Sequence, residues 1–269
     1  MAGRGVMLAG GACALAMVLA ASEAVALPGR IILLRHGEKQ DAYRLCPVGL
    51  SRAQGLAAQH LGRDASASLF RPGETPKGFF AITLHTLETI APSAASWGQP
   101  VITYAALPDA SGALADTLLN AQTQQLARDL LTDPRWDGAT VVVTWEHDHI
   151  AKTVSGHAGK DAAEKAEAAA REASRSPQKL EAAVVKADGR PEAPSTLFDL
   201  FGLARFAEAL SNWPGETYDY FWIIDFDPNT REASSFQKVR QVYSGPYAAL
   251  PQNEWGQPDG LTAASGCQL

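Results

Sequence analysis

The sequence predicts an α/β fold: a three-layer sandwich with a mostly parallel central sheet and an added helical insertion. Three observations predict it. Short β-type apolar runs recur along the chain, segments of helical periodicity separate them, and this alternation implies βαβ units covered on both faces. One stretch, Lys160 to Pro191, breaks the rhythm.

Taken in order, Arg30 to Leu34 is a short apolar run, the pattern of a buried strand. Ser51 is a candidate cap for a helix from Arg52 to Leu61, with Ala53, Leu56, Ala57 and Leu61 on one face and Gly62 at its end. A strand over Phe79 to Leu84 precedes a helix from about Leu87 to Trp97 that stops at Gly98, and Val101 to Tyr104 is the next strand. Leu119, Leu126 and Leu130 are in register for an amphipathic helix over Asp116 to Leu131. Pro134 and Gly138 then break the chain before the β-branched run Thr140 to Trp145, and Tyr218 to Phe226 is a last, aromatic-rich strand. Lys160 to Pro191 is rich in Ala, Glu, Lys and Arg. It carries the i,i+4 pairs Asp161/Lys165 and Glu167/Arg171 but no apolar stripe. That composition fits a solvated surface helix, or a cap over a site, inserted over about 151–195.

The 269 residues are 46% hydrophobic and 19% charged, an ordinary globular composition. Residues 1–26 read as a signal peptide: Arg4, an apolar stretch from Val6 to Ala21, and Ala24-Val25-Ala26 as an A-x-A cleavage site. The apolar run is just under the length that spans a bilayer and ends in small residues, which argues against an uncleaved anchor. Cys13 lacks the upstream leucine of a lipoprotein site. Arg4 and Glu23 cancel in the leader, so the expected mature domain, 27–269, keeps the net charge of −6. An acidic chain without basic tracts is a poor nucleic-acid or anionic-membrane binder. Cys46 and Cys267 remain after cleavage; export permits a disulfide between them, and two buried free thiols are the other reading.

Leu34-Arg35-His36-Gly37-Glu38 places a guanidinium and an imidazole where a strand hands over to a loop, the end at which open α/β sheets bind ligands. Arg35 can fork two hydrogen bonds onto a phosphate. His36 can attack phosphorus when its other ring nitrogen is fixed by a carbonyl. Gly37 leaves the backbone free to turn and approach an oxyanion. By itself the tripeptide is also an ordinary strand-terminal Arg and a surface His.

Arg35-His36-Gly37-Glu38 followed by Gly49-Leu50-Ser51-Arg52-Ala53-Gln54-Gly55 resembles the opening of the histidine phosphatase superfamily. Thr86-Leu87-Glu88-Thr89-Ile90-Ala91-Pro92 is similar to its Gln-Thr-Ile-x-Pro helix. Val141 to Trp145 leading into Glu146-His147 looks like the strand ending in the family's second histidine, and Trp213-Pro214-Gly215 with Tyr218-Asp219 resembles the approach to its last strand. The resemblance implies a metal-independent phosphomonoesterase without a cofactor, acting on a small phosphorylated substrate outside the cytoplasm. His36 would be the nucleophile, Arg35 and His147 would bind the phosphoryl oxygens, and Gly37, His85, Glu146 and Asp148 would contact substrate.

Two positions depart from that pattern. Where the family carries a second arginine this chain has His85, and a neutral imidazole supplies neither fixed charge nor fork. Either a bound phosphate protonates His85, or another cation such as Lys39 or Arg44 fills the role, or activity is weakened or lost and the protein binds phosphate esters only. For the general acid, Asp109 in Leu107-Pro108-Asp109 matches the place of the family's acid and is favoured over Asp148 and Glu146. Asp148 follows His147 as in the phytase-like branch, but Glu38-Lys39 stand where that branch has its second Arg. A third reading treats His147 and His149 as i,i+2 strand residues that ligate zinc on one face.

Overall fold

A computed structural model describes residues 26–153 and 194–268 of the chain. The leader, except Ala26, and the insertion expected over about 151–195, except its two ends, lie outside the described residues.

The two most uniform apolar runs lie next to each other. β1 (Arg30–Arg35) and β4 (Thr140–Trp145) are buried along their whole length and pair in parallel, Arg30 opposite Thr140 through Arg35 opposite Trp145. Alternate residues enter opposite cores. Ile31, Leu33, Val141 and Val143 face the helix α3 (Asp116–Thr132), and Ile32, Leu34 and Val142 face α1 (Pro47–Leu56) and α2 (Leu84–Ser96). Burying each of these aliphatic side chains is worth about 1.5–3 kcal/mol over leaving it exposed. The two faces together fix the register, because a one-residue slip would exchange the two cores.

With β2 (Pro76–Ala81), β3 (Val101–Thr103), β5 (Tyr220–Asp227) and β6 (Glu232–Arg240), the sheet has six strands in the order β3-β2-β4-β1-β5-β6. β3, β2, β4 and β1 are parallel; β5 runs antiparallel to β1, and β6 antiparallel to β5. The protein is therefore an α/β protein with a mixed sheet and helices on both sides. β6 was not anticipated: its residues, Glu-Ala-Ser-Ser-Phe-Gln-Lys-Val-Arg, are mostly polar and half exposed, as suits an edge strand. From β1 the chain steps outward to β2 and β3 under α1 and α2, and α3 then returns over the other face to insert β4 beside β1. That reversal of direction at the carboxyl ends of β1 and β4 is where such sheets open a crevice.

Several boundaries differ from the sequence expectation. α1 begins at Pro47, not after Ser51: proline at the first helical position gives up an N–H that would be unpaired anyway, and Ser51 lies within the helix. The helix continues as a wider turn over Ala57–Leu61 and ends at Gly62, where a Cβ would collide with the Ala57 carbonyl. β2 stops at Ala81 and α2 begins at Leu84, because Thr83 caps it: the Thr83 side chain accepts from Thr86 N while Thr86 Oγ1 accepts from Thr83 N at 2.8 Å. That cap, worth about 1 kcal/mol, places His85, expected between the strand and the helix, in the first turn of the helix. Gly98 ends α2 as expected, with φ +66°.

Candidate active site

In-register pairing of β1 with β4 sets Arg35 opposite Trp145, so the residues that follow, His36 and Glu146, emerge side by side. His36 N donates to Trp145 O at 3.3 Å and extends that register by one step. The His36 imidazole is buried. Its Nδ1 lies 2.6 Å from the Gly37 carbonyl, a contact that requires a proton on Nδ1, and this leaves Nε2 with its lone pair. Around Nε2 stand Glu146 Oε2 at 3.2 Å and an Arg35 terminal nitrogen at 3.4 Å. Burial, reinforced by Lys39 and Arg35, lowers the His36 pKa to about 3, which keeps the ring neutral at physiological pH.

Arg35 is held without a carboxylate partner among the described residues. Its Nη1 donates to the carbonyls of Pro214 (3.2 Å), Gly215 (2.6 Å) and Thr217 (3.1 Å), and its guanidinium lies 3.9 Å from the centre of the Tyr218 ring. Carbonyl dipoles and an aromatic face steady the group without neutralising it.

His147, the first residue of a single helical turn, α4 (His147–Ile150), has its ring 6.3 Å from that of His36. Its Nδ1 is buried without a partner among the described residues. Burial, then Arg35 and His36, lowers its pKa to about 3, so it too is neutral. Asp148 turns to the rim, where its carboxylate pairs with Lys152 at 2.7 Å and touches the His147 ring at 3.4 Å.

Lys39 brings the second cation: its Nζ is 3.1 Å from Glu146 Oε2. Arg44, the other candidate, points outward to Asp41. His85 is buried 5.8 Å, ring to ring, from His36. Its Nε2 donates to the Asp41 carbonyl at 2.7 Å, and burial, then Lys39, lowers its pKa. In its neutral state His85 is a latch for the Lys39–Leu45 loop. The same loop is held by Leu45 N donating to Glu88 (2.7 Å) and by the Cys46–Cys267 disulfide, which is formed. The disulfide brings the chain end close enough for Gln268 N to donate to Lys39 O at 2.6 Å.

Gly37 gains a structural reason and one expectation changes. Gly37 N donates to Thr89 Oγ1 at 2.8 Å, and a Cβ there would meet Gly49 at 3.1 Å, so the turn after β1 packs closely on α1. His149 lies on the helical turn, with its Nε2 3.0 Å from Asn120 Oδ1 in the α3 interface, so it does not share a strand face with His147. Among the described residues the set able to hold a metal is instead His36, Glu146 and His147, whose donor atoms lie within 4.8 Å of one another. Two imidazoles and a carboxylate suit zinc by type. Lys39 and Arg35, however, place positive charge on the same donor atoms, which favours an anion there.

Asp109 is exposed in the loop after β3. Its carboxylate accepts from Ser111 Oγ (2.6 Å), Ser111 N (2.8 Å) and Ala113 N (3.1 Å), bonds that lower its pKa. An aspartate held in this way is a turn former and a poor proton donor.

Thr83, Tyr218 and the Glu38–Arg52 pair were not singled out as site residues. Thr83 donates to Glu146 Oε1 at 2.7 Å. Glu38 and Arg52 form a fully buried bidentate pair (2.6 Å at the closest) beneath the Gly37 turn. Thr83 was readable as a helix cap, whereas the others depend on contacts across 14 residues or more. Compared with known proteins, the chain matches no family model and no curated protein sequence.

Proposed function

We propose that this chain is a metal-independent phosphomonoester hydrolase of the histidine phosphatase superfamily, working outside the cytoplasm through a phosphohistidine on His36. The observation that carries this reading is the His36 ring itself. It is buried and neutral, its Nδ1 is bound to a carbonyl at 2.6 Å, and its Nε2 faces Glu146 Oε2 and Arg35, an arginine that pairs with no carboxylate among the described residues. Phosphoryl transfer asks for that combination of an in-line nucleophile and positive charge on the equatorial oxygens. Arg35, Lys39 and His147 bind those oxygens, and the His85 latch holds the loop that presents Lys39. The disulfide and the leader-like start support export.

A weak or inactive phosphate-ester-binding protein is the second reading. It is favoured by His85, whose neutral ring leaves the pocket one guanidinium short. One assay separates the readings: residues 27–269, wild type and His36→Ala, on an aryl phosphate with and without EDTA. Turnover that survives EDTA and vanishes in the variant, with an acid-labile phosphoenzyme, supports the phosphatase. Phosphate binding without turnover supports the second reading, and loss with EDTA supports a metalloenzyme at His36, Glu146 and His147.

A further inference from the structure

We infer that Glu146 is the catalytic proton carrier of this site, and that Lys39 holds it as an anion until substrate arrives. The inference rests on the phosphatase reading above. Every other carboxylate proposed for the role is occupied away from the nucleophile: Asp109 in its own loop, Asp148 with Lys152 at the rim. Glu146 is buried and set directly against His36 Nε2 at 3.2 Å, with its second oxygen anchored by the Thr83 hydroxyl at 2.7 Å. Thr83 caps α2, so the carboxylate is oriented by a rigid element. Fixing Oε1 in this way leaves Oε2 facing the reacting atoms.

Both halves of the reaction balance on this one group. At rest, Lys39 stands 3.1 Å from Glu146 Oε2. A substrate phosphate dianion offers Lys39 a stronger partner and places negative charge beside the carboxylate. The loss of Lys39 and the gain of a neighbouring anion both favour uptake of a solvent proton by Glu146. His36 Nε2 then forms its bond to phosphorus, the ester P–O bond breaks, and the Glu146 proton passes to the departing alcohol oxygen. In the second half, water attacks phosphorus while Glu146, now a carboxylate, takes the water's proton. The P–Nε2 bond breaks, its electron pair returns to nitrogen, inorganic phosphate leaves, and Glu146 gives the proton taken from water back to solvent as Lys39 returns to Oε2.

The decisive measurement is kcat/KM over phosphate monoesters of graded leaving-group pKa, from nitrophenyl to alkyl, for wild type, Glu146→Gln and His36→Ala. A nitrophenolate departs without a proton, whereas an alkoxide needs one. Glu146→Gln is expected to lose about 10²–10⁴-fold on alkyl phosphates and less than about tenfold on nitrophenyl phosphate, so that the dependence on leaving-group pKa steepens. Formate is expected to restore alkyl-phosphate turnover to Glu146→Ala, a rescue that a purely structural carboxylate would not give. An equal loss across all leaving groups without formate rescue in a variant that still binds inorganic phosphate would overturn the assignment. Absence of any wild-type turnover, or full activity in His36→Ala, would instead remove the phosphatase reading on which it stands.

Discussion

β1 carries an arginine at each end, and the two are treated in opposite ways. Arg30, at the amino end, lies between acids: Glu74 at 3.3 Å and Asp225 at 3.5 Å, with Thr140 donating to Glu74 and Arg71 adding a second hold on Asp225. Arg35, at the carboxyl end, is as buried as Arg30 yet has only carbonyls and a tyrosine ring around it among the described residues. Neutralised charge at one end supports the sheet. Charge left open at the other end, next to two neutral imidazoles, supports the proposed anion site. Burying an unneutralised guanidinium costs stability, and that cost makes sense where a ligand supplies the missing negative charge.

Removing the proposed nucleophile should have the largest effect on the carboxyl end: His36→Ala is expected to lower kcat by at least about 10³-fold with little change in secondary structure by circular dichroism. Arg35→Ala comes next, with a loss of about 10²–10³-fold in kcat/KM. Arg30→Ala should leave kcat/KM near wild type and lower unfolding free energy by about 1–3 kcal/mol. If Arg30→Ala abolishes turnover without destabilising the protein, the contrast between the two ends fails.

The Glu38–Arg52 pair tests whether buried charge near the site can also be purely supportive. Removing only Arg52, as Arg52→Met, leaves an uncompensated carboxylate and is expected to cost about 3–5 kcal/mol in urea unfolding. Replacing both partners with apolar residues should cost much less. Reducing the Cys46–Cys267 disulfide should lower stability by about 2–5 kcal/mol and weaken phosphate binding through the Lys39 loop, measured as the thermal midpoint and a phosphate titration with and without reductant.

A last test concerns pH. His36 and His147 both have folded pKa values lowered to about 3, below the ordinary 6.5. The unfolded chain therefore takes up protons first on acidification. Their neutral, buried state carries no penalty above about pH 6.5, and stability falls as pH drops from 6.5 toward 3. His147→Asn should flatten that decline in thermal midpoint, and an unchanged slope would contradict the assigned burial of the ring.

Much of the central sheet was legible from residue pattern alone. β1 and β4 were readable as buried apolar runs because both faces of a central parallel strand are covered, and α3 from the spacing of Leu119, Leu126 and Leu130. Arg35 and His36 could be singled out because a strand end followed by a loop is a local feature, whereas His147 was named only through the resemblance of Glu146-His147 to a family motif. β6 could not be found: an edge strand needs no apolar face, and its pairing with β5 is decided by hydrogen bonds to a neighbour.

By itself, the sequence determined the alternation of strands and helices, the residues at the strand ends and the two cysteines able to pair. Only the tertiary structure decided which of those residues meet. Parallel pairing of β1 with β4 brings His36 to Glu146 across 110 positions, and the cap at Thr83 turns His85 toward the Lys39 loop. The same packing leaves Asp109 exposed and buries His149 against α3. Hydrophobic period is a property of neighbours along the chain, and a site is a property of neighbours in space. That is why Arg35-His36-Gly37 could be singled out as a local string, while Lys39 could be named only as one cation within reach and Glu146 only as one carboxylate among three.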